Sequence, residues 1–336
     1  MFENILKLLC LQLTLTFIIV KISYKLSLID FPSQRKIHQK PTPYTGGIIL
    51  GLTYLFMVFI TNFDDKFINL LLSFSIIICL TGLIDDRYNI NPGTKLLFQA
   101  FSIFFLIDNN FYLKDLGEYY FLGKITLGSF DKVFTILSIL LLINSFNYSD
   151  GIDGLLTSLT LVILITFVIY IFILNSDLNI YLIFLCLPLF IFLIFNLGIV
   201  KGFKIFLGDS GSNLLGYLTA FLSIYLYNYH KIHPALIMWP LAYVIYEFLT
   251  VNLIRLTNNS GVFKAGHDHL HYELKKIFKI SNFKILGIII LLNVFFSFVG
   301  YKIYQIFSQD FSILAFVTLF IIYFYLRTKI RKKTIQ

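Results

Sequence analysis

Charged residues are scarce in this chain: Asp, Glu, Lys and Arg together make up 13% of its 336 residues. Soluble domains carry about 25% charged residues. A soluble fold of this length could not hide its hydrophobic residues, which are 58% of the total. The mean hydropathy of +0.82 excludes intrinsic disorder as well. We therefore expect an integral membrane protein.

Cysteine, glycine and proline are also infrequent. Cys10, Cys79 and Cys186 each stand alone in an apolar run, without a Cys-x-x-Cys motif or a Cys/His pair. This pattern argues against a disulfide framework and a zinc site that uses thiolates, and it indicates buried apolar cysteines. With 19 Gly and 7 Pro, the composition is not that of a fibrous or low-complexity protein.

What the chain has in abundance is long apolar runs. A transmembrane helix needs roughly 20 apolar residues, and the alternating pattern of barrel strands is missing from these runs. The first run lacks a basic start and a cleavage site, so we interpret it as a retained span rather than a signal peptide. The sequence predicts an all-α, polytopic membrane helical bundle that forms one domain over residues 1–336. Its spans number about eleven: 4–24, 46–62, 67–84, 95–112, 132–148, 155–175, 179–199, 212–229, 234–255, 284–304 and 311–326.

Lysine and arginine set the predicted orientation, because cytoplasmic loops are enriched in them. The C-terminal segment from Arg327 to Lys333 is strongly basic, so we place it in the cytoplasm. Eleven spans then put the N-terminus outside, and most other Lys and Arg residues fall in cytoplasmic loops. This topology, with attraction to anionic membrane lipids, accounts for the net charge of +9 without a nucleic-acid partner.

Polar residues collect in five loops on the predicted cytoplasmic side. Such clusters are costly near a membrane and are usually functional. The adjacent carboxylates of Asp85 and Asp86, which follow the third run, need a cation or a proton when they are desolvated. A simple polar cap at the helix end is the alternative.

Two further loops are rich in oxygen ligands and glycine. The segment 147–154 combines Asn147, Asp150 and Asp153 with two glycines but lacks the spacing of an EF-hand, so Mg²⁺ shared with a phosphate fits it better. The segment 208–212 opens the eighth run with Gly, Asp and Ser, and helix N-termini suit phosphates. A turn in the first case and a helix cap in the second are the alternatives.

Three histidines lie close together in the loop after the ninth run. His267, His269 and His271 could form a zinc site, contact phosphate oxygens or belong to a solvated basic loop. Glu247 lies inside the ninth run, where a structural partner and a catalytic role are equally consistent with its position.

Taken together, these motifs resemble the polyprenyl-phosphate N-acetylhexosamine-1-phosphate transferases over roughly residues 30–275. The first loop resembles the branch that initiates O-antigen, common-antigen and teichoic-acid linkage units. The matching segments are Arg35-Lys36-Ile37-His38 with Pro41-Thr42-Pro43 and Gly46-Gly47; Asp85-Asp86 with Pro92, Lys95-Leu96 and Gln99; Asn144–Asn147 with Asp150–Leu155; Phe206–Ser212; and Arg255 with His269-Leu270-His271.

The resemblance implies an enzyme that depends on Mg²⁺, with Mn²⁺ as the alternative metal. Such an enzyme moves a sugar 1-phosphate, such as that of GlcNAc or a modified N-acetylhexosamine, from a UDP-sugar to undecaprenyl phosphate and releases UMP. This would be the first membrane step of cell-envelope polysaccharide synthesis, on the cytoplasmic face of the bacterial cytoplasmic membrane. The expected partners are UDP-N-acetylhexosamine, undecaprenyl phosphate and membrane lipids, with a homodimer as a candidate assembly.

The same resemblance assigns roles to residues. Asp85, with its neighbour Asp86, is the candidate base or nucleophile, and Asp209 and Asn147 are the candidate ligands of Mg²⁺. The candidate substrate-binding residues are Arg35, His38, Lys95, Asn144, Asp150, Asp153, Arg255, His269 and His271.

Three positions depart from the family pattern and leave the sugar open. Tyr272 stands in place of a third histidine, Ala265-Gly266 in place of Pro-Asp, and Glu247 in place of an intramembrane Asp. One alternative is the phospho-MurNAc-pentapeptide transferase branch, which the first loop disfavours. A lipid flippase or transporter predicts midplane charges and internal repeats. A membrane phosphatase would release free phosphate.

Overall fold

The computed structural model describes residues 2–32, 40–175, 179–258, 261, 266 and 268–335. Within these ranges the chain is mostly helical. The α-helices are α1 (Phe2–Lys25), α2 (Gly46–Thr61), α3 (Lys66–Tyr88), α4 (Pro92–Asp108), α5 (Asp131–Tyr148), α6 (Leu155–Asn175), α7 (Ile180–Asn196), α8 (Gly208–His230), α9 (Pro234–Ile237), α10 (Ala242–Thr257), α11 (Leu270–Phe278), α12 (Asn282–Ile306) and α13 (Gln309–Ile335). The strands are β1 (Ile29–Asp30), β2 (Thr42–Pro43), β3 (Asp115–Tyr119) and β4 (Gly123–Thr126), and a 3₁₀ turn covers Gly128–Phe130.

The all-α membrane architecture predicted from the sequence is confirmed. Among the described residues, six helices are long and apolar enough to cross a membrane. They are Phe2–Lys25, Lys66–Tyr88, Gly128–Tyr148, Leu155–Asn175, Asn282–Ile306 and Gln309–Lys333, and two shorter apolar helices are Gly46–Thr61 and Ile180–Asn196.

The ninth predicted run is interrupted. Instead of one helix over 234–255, the structure has the single turn α9 and the longer α10, with Met238–Leu241 between them. Pro240 lies in this interval. Proline has no N–H to donate to the preceding turn and its ring clashes with that turn, so the run cannot continue as one regular helix.

Side-chain caps mark the starts of α3 and α4, and a residue in the left-handed conformation ends α3. The Asp65 carboxylate accepts a hydrogen bond from Ile68 N at the start of α3, and the Asn91 side chain accepts one from Thr94 N at the start of α4. Asn89 ends α3 in the left-handed conformation, with φ of 48°. The Asp85-Asp86 pair is thereby placed in the last turn of α3.

Helix α8 lies at the centre of the bundle and packs against α2, α3, α5 and α6. Its first turn approaches α2 and α3 very closely. A Cβ added at Gly82 would lie 2.4 Å from the backbone N of Ser210, and one added at Gly47 would lie 2.1 Å from Gly211 N. Glycine at these positions lets the end of α3 and the start of α8 meet.

An antiparallel hairpin of β3 and β4 was not predicted from the sequence. It follows the C-terminal end of α4. The Asp115 carboxylate accepts hydrogen bonds from Gly117 N and from the Tyr227 hydroxyl. Five- and four-residue strands give too little alternation to be recognised among long apolar runs.

Candidate active site

The segment that leads into α8 is held against the segment that leads into α2. Phe206 N donates to Pro43 O at 2.8 Å, and Gly46 N donates to Phe206 O at 3.0 Å. Gly208 has φ of +72°, and a Cβ there would lie 2.5 Å from Tyr44 O. Only glycine combines this left-handed conformation with so close a backbone contact. The first turn of α8, with Asp209, is therefore fixed relative to α2.

The N-terminus of α8 is capped by a carboxylate from α3. Asp209 N and Ser210 N donate to the two carboxylate oxygens of Asp86, at 3.1 and 3.3 Å. The first N–H groups of a helix have no partner within the helix, and a negative charge is favourable beside them. The sequence leaves a phosphate site or a helix cap open at this terminus, and in the structure the Asp86 carboxylate accepts these hydrogen bonds. Asp86 thus orients Asp209.

The Asp209 carboxylate is the meeting point of four helices. Lys95 Nζ lies 2.6 Å from Asp209 Oδ2 and 2.6 Å from Asp85 Oδ2, so one ammonium group bridges two carboxylates. Asn147 Nδ2 donates to Asp209 Oδ1 at 2.8 Å and to Ser212 Oγ at 2.9 Å. Helices α3, α4, α5 and α8 thereby bring together four residues that the sequence predicted to share one site.

Two cavities meet beside this cluster. The first has a volume of about 470 Å³ and the second about 400 Å³, and both are lined by Asn147, Asp150, Gly151 and Tyr272. The first cavity is lined by several aspartates and by Lys204, whereas the second has more basic and imidazole residues. The acidic residues of the first are Asp30, Asp86, Asp150, Asp153 and Asp209, and the basic or imidazole residues of the second are Lys95, Arg255 and His269.

The Asp150 carboxylate at the junction of the cavities has no hydrogen-bond partner among the described residues. Burial raises the pKa of Asp150 to about 8, and the neighbouring carboxylates of Asp209 and Asp153 contribute in the same direction. A carboxylate in this situation needs a proton or a cation. The junction is therefore short of positive charge.

This charge imbalance makes the donor set suitable for a divalent cation. No three Asp, Glu, His or Cys side chains form a complete metal site in the described part of the chain. Mg²⁺ commonly takes only one or two carboxylates and completes its shell with phosphate oxygens and water. The carboxylates of Asp209 and Asp150, with the amide of Asn147, fit that mode of binding.

Other predicted residues also border the cavities. Asp153 forms an ion pair with Lys204 at 2.6 Å, and both line the first cavity. Asn144 lines the second cavity and donates to Gln99 Oε1 at 3.2 Å. Lys204 was not among the predicted site residues, because its loop shows no motif. Arg35, His38 and His267 lie outside the described residues.

The segment 268–272 forms one wall of the second cavity. His269 and Tyr272 line it, whereas His271 is fully buried behind them and is not among the lining residues described. Arg255 Nε and Nη2 donate to the Asp268 carboxylate at 2.9 and 2.8 Å. Burial raises the pKa of Tyr272, so its hydroxyl stays protonated and donates to Gly151 O at 3.2 Å.

We expect the protein to lose stability as the pH falls below neutrality, in part through His269. Burial lowers the pKa of His269 from its usual value of 6.5, although the Glu247 and Asp268 carboxylates oppose this shift. Just below pH 6.5 the unfolded chain then binds a proton that the folded protein does not, so the free energy of unfolding decreases as the pH is lowered. Thermal unfolding in detergent at pH 5.5, 6.5 and 7.5 measures this effect. His269→Gln should flatten the profile, and an unchanged profile in that variant would contradict the assignment.

Comparisons with known proteins bear directly on this site. The family model described as glycosyl transferase family 4 matches residues 68–227, a range that holds Asp85, Lys95, Asn147 and Asp209. The undecaprenyl-phosphate alpha-N-acetylglucosaminyl 1-phosphate transferase of Yersinia pestis is 28% identical over 265 residues, which cover 77% of this chain and 73% of the relative. Its counterpart in Escherichia coli strain K12 is 28% identical over 261 residues, covering 76% and 71%.

A third relative decides the family. The enzyme of the same name from Pasteurella multocida is 30% identical over 262 residues, which cover 76% of this chain and 73% of the relative. The chain belongs to the polyprenyl-phosphate N-acetylhexosamine-1-phosphate transferase family. The resemblance identified from the sequence is confirmed, and this family member is a multi-pass membrane enzyme that transfers sugar phosphates.

Proposed function

We propose that the protein transfers an N-acetylhexosamine 1-phosphate from a UDP-sugar to undecaprenyl phosphate and releases UMP. Family membership supports the reaction class, and the relatives' names supply the acceptor. The observation that carries the proposal is the convergence of Asp85, Lys95, Asn147 and Asp209 where two cavities meet. Two substrates that must exchange a phosphoryl group need two adjoining sites with the charged groups between them.

The charged residues that line the two cavities favour a different substrate in each cavity. A nucleotide diphosphate that carries Mg²⁺ suits the acidic first cavity, where Asp209, Asn147 and Asp150 would hold the metal. A lipid phosphate suits the second cavity, where Lys95, Arg255 and His269 would contact its oxygens. When bound, Mg²⁺ would neutralise the charge of the diphosphate.

The reaction exchanges one phosphoanhydride for another. An oxygen of the lipid phosphate forms a bond to the phosphorus next to the sugar, the bond between the two phosphoryl groups of the donor breaks, and UMP leaves. We assign Asp85 as the base that accepts a proton from the lipid phosphate, since it lines the second cavity beside Lys95. Because such transfers depend on positioning and charge neutralisation, Lys95 and His269 would supply the remaining donors.

We further propose that the chain is one membrane domain with eleven spans, in the bacterial cytoplasmic membrane, with its N-terminus outside. The interrupted pair α9–α10 counts as one span in this scheme. The excess of Lys and Arg in the loops assigned to the cytoplasm supports this topology. With this topology the site would lie at the cytoplasmic surface, where a lipid phosphate meets a soluble nucleotide. In a cysteine-free background, Lys332→Cys should react with an impermeant maleimide only from the cytoplasmic side and Asp64→Cys only from outside. The reverse labelling pattern would show that the chain has the opposite orientation in the membrane.

The activity is tested with purified protein, undecaprenyl phosphate, Mg²⁺ and a panel of UDP-sugars that includes UDP-GlcNAc. We expect one UMP for each lipid-linked sugar phosphate formed, and no product after chelation of the metal. Turnover of UDP-MurNAc-pentapeptide alone would point to the peptidoglycan branch. Free phosphate released from a lipid diphosphate would indicate a phosphatase, and lipid translocation without UMP would indicate a flippase. Any of these results would overturn the proposal.

A further inference from the structure

Arg327 on the last helix, α13, is buried directly behind the wall of the second cavity. It is 1% exposed, although it begins the basic segment that follows the last predicted span. Its partners are Glu247 on α10, Glu273 on α11 and the backbone before α11. Three chain segments that are distant in sequence thus meet at one guanidinium group.

The guanidinium group of Arg327 uses all of its nitrogens. Nε donates to Glu247 Oε2 at 3.1 Å, Nη2 donates to Glu247 Oε1 at 3.1 Å, and Nη1 pairs with the Glu273 carboxylate. Nη2 also donates to Asp268 O at 3.0 Å. The planar fork of arginine can make these contacts together, whereas the single ammonium of lysine cannot.

Glu247 links Arg327 to the backbone of the cavity wall. Its Oε1 accepts a hydrogen bond from Leu270 N at 2.7 Å, which is one of the first N–H groups of α11. The Tyr323 hydroxyl donates to Glu247 Oε2 at 2.6 Å and fixes the other oxygen. Both backbone groups that flank His269, the carbonyl of Asp268 and the N–H of Leu270, are therefore fixed by this buried cluster.

We propose that Arg327 is a positioning residue of the transferase: through Glu247 and the Asp268 carbonyl it sets the backbone of 268–272, so that His269 and Tyr272 face the substrate cavity. The inference rests on the proposed function for its consequence in catalysis. Arg327 does not line either cavity in the described part of the chain, so its effect is indirect. The last helix is thereby part of the active-site architecture rather than a peripheral anchor.

The test compares Arg327→Lys with Arg331→Lys. The first keeps the buried charge but loses the forked contacts. The second makes the same change on the same helix, where the Arg331 guanidinium lies 3.6 Å from the Asp268 carboxylate. For Arg327→Lys we expect kcat/KM for the UDP-sugar to fall at least tenfold per folded protein, and hydrogen exchange of 268–272 to accelerate at least tenfold. Arg331→Lys should change both by less than twofold. Binding of Mn²⁺ with UMP should be unchanged in both variants.

Each other outcome is decisive. A wild-type value of kcat/KM, of the exchange rate of 268–272, or of both in folded Arg327→Lys would overturn the proposal, as would a loss of activity that only follows the loss of folded protein. If Arg327→Lys does not fold, Glu247→Gln keeps the shape of the side chain but removes one of the two oxygens that accept from the Arg327 fork. It should change the same two quantities in the same direction, and no change in either would overturn the proposal. If the wild-type protein releases no UMP from any UDP-sugar, the proposed function fails, whereas the exchange comparison still decides the role of Arg327.

Discussion

Asp209→Asn is expected to lower UMP release on the order of 10³-fold, the range seen when one preorganised electrostatic group is removed from an active site. The Asp209 carboxylate accepts contacts from Lys95 and Asn147 and lies close enough to Asp150 to raise its pKa. A neutral amide cannot hold a divalent cation in the same way, and it leaves the charge of Lys95 balanced by Asp85 alone. The rate of UMP release at saturating substrate, per folded protein, is the quantity to measure.

The fold should survive this substitution. Lys95 keeps its contact with Asp85 at 2.6 Å, and the Asp209 backbone N–H still donates to Asp86. Asp64→Asn is the matched control, because it makes the same chemical change at an exposed position away from the cavities. We expect wild-type turnover from the control. Normal turnover in Asp209→Asn, at an unchanged thermal midpoint, would rule out Asp209 as a metal ligand.

Gly82→Ala is expected to lower both the stability of the protein and its activity. The loss of stability is informative, because alanine normally stabilises a helix relative to glycine. In an open helix, alanine is more favourable than glycine by about 1 kcal/mol. At Gly82, however, the new Cβ would lie 2.4 Å from Ser210 N and Cα, which are backbone atoms that no rotamer change can move. Overpacking of this kind typically costs about 1–3 kcal/mol or more. It would separate α3 from α8 and lengthen the contacts between Asp86 and the α8 terminus. We expect a lower thermal midpoint and at least tenfold less UMP per folded protein.

Gly287→Ala provides the comparison, because a Cβ there meets no atom within 4 Å in helix α12. This variant should be neutral or slightly more stable than the wild type. Equal effects of the two substitutions would show that the α3–α8 approach does not govern the site.

The sequence predicted the composition of the site well, since the motifs of Asp85, Asn147 and Asp209 combine carboxylates or amides with nearby glycine at the boundary of an apolar run. Asp85, Lys95, Asn147 and Asp209 do meet, and they do so because α3, α4, α5 and α8 are neighbours. The roles within the cluster were harder to anticipate. Asp86 caps α8 by accepting from the N–H of Asp209, 123 positions later in the chain. No local pattern reveals such a pairing, because it depends on how closely two helices pack.

The least predictable feature was Arg327. In the sequence it is the first of several basic residues after the last apolar run, and such residues usually mark topology. Its burial against Glu247 and Glu273 depends on α10, α11 and α13 packing together. The one clue in the sequence was Glu247, because a charged residue inside a predicted span requires a partner.

The central claim is that Asp209 holds a divalent metal against the donor diphosphate, and Mn²⁺ binding measured by electron paramagnetic resonance tests it most directly. Free Mn²⁺ is titrated against the protein with UDP-GlcNAc present, because the nucleotide supplies the remaining ligands. We expect one tightly bound Mn²⁺ per chain in the wild type and in Gly287→Ala, and at least tenfold weaker binding in Asp209→Asn. Undiminished Mn²⁺ binding by Asp209→Asn would contradict the claim.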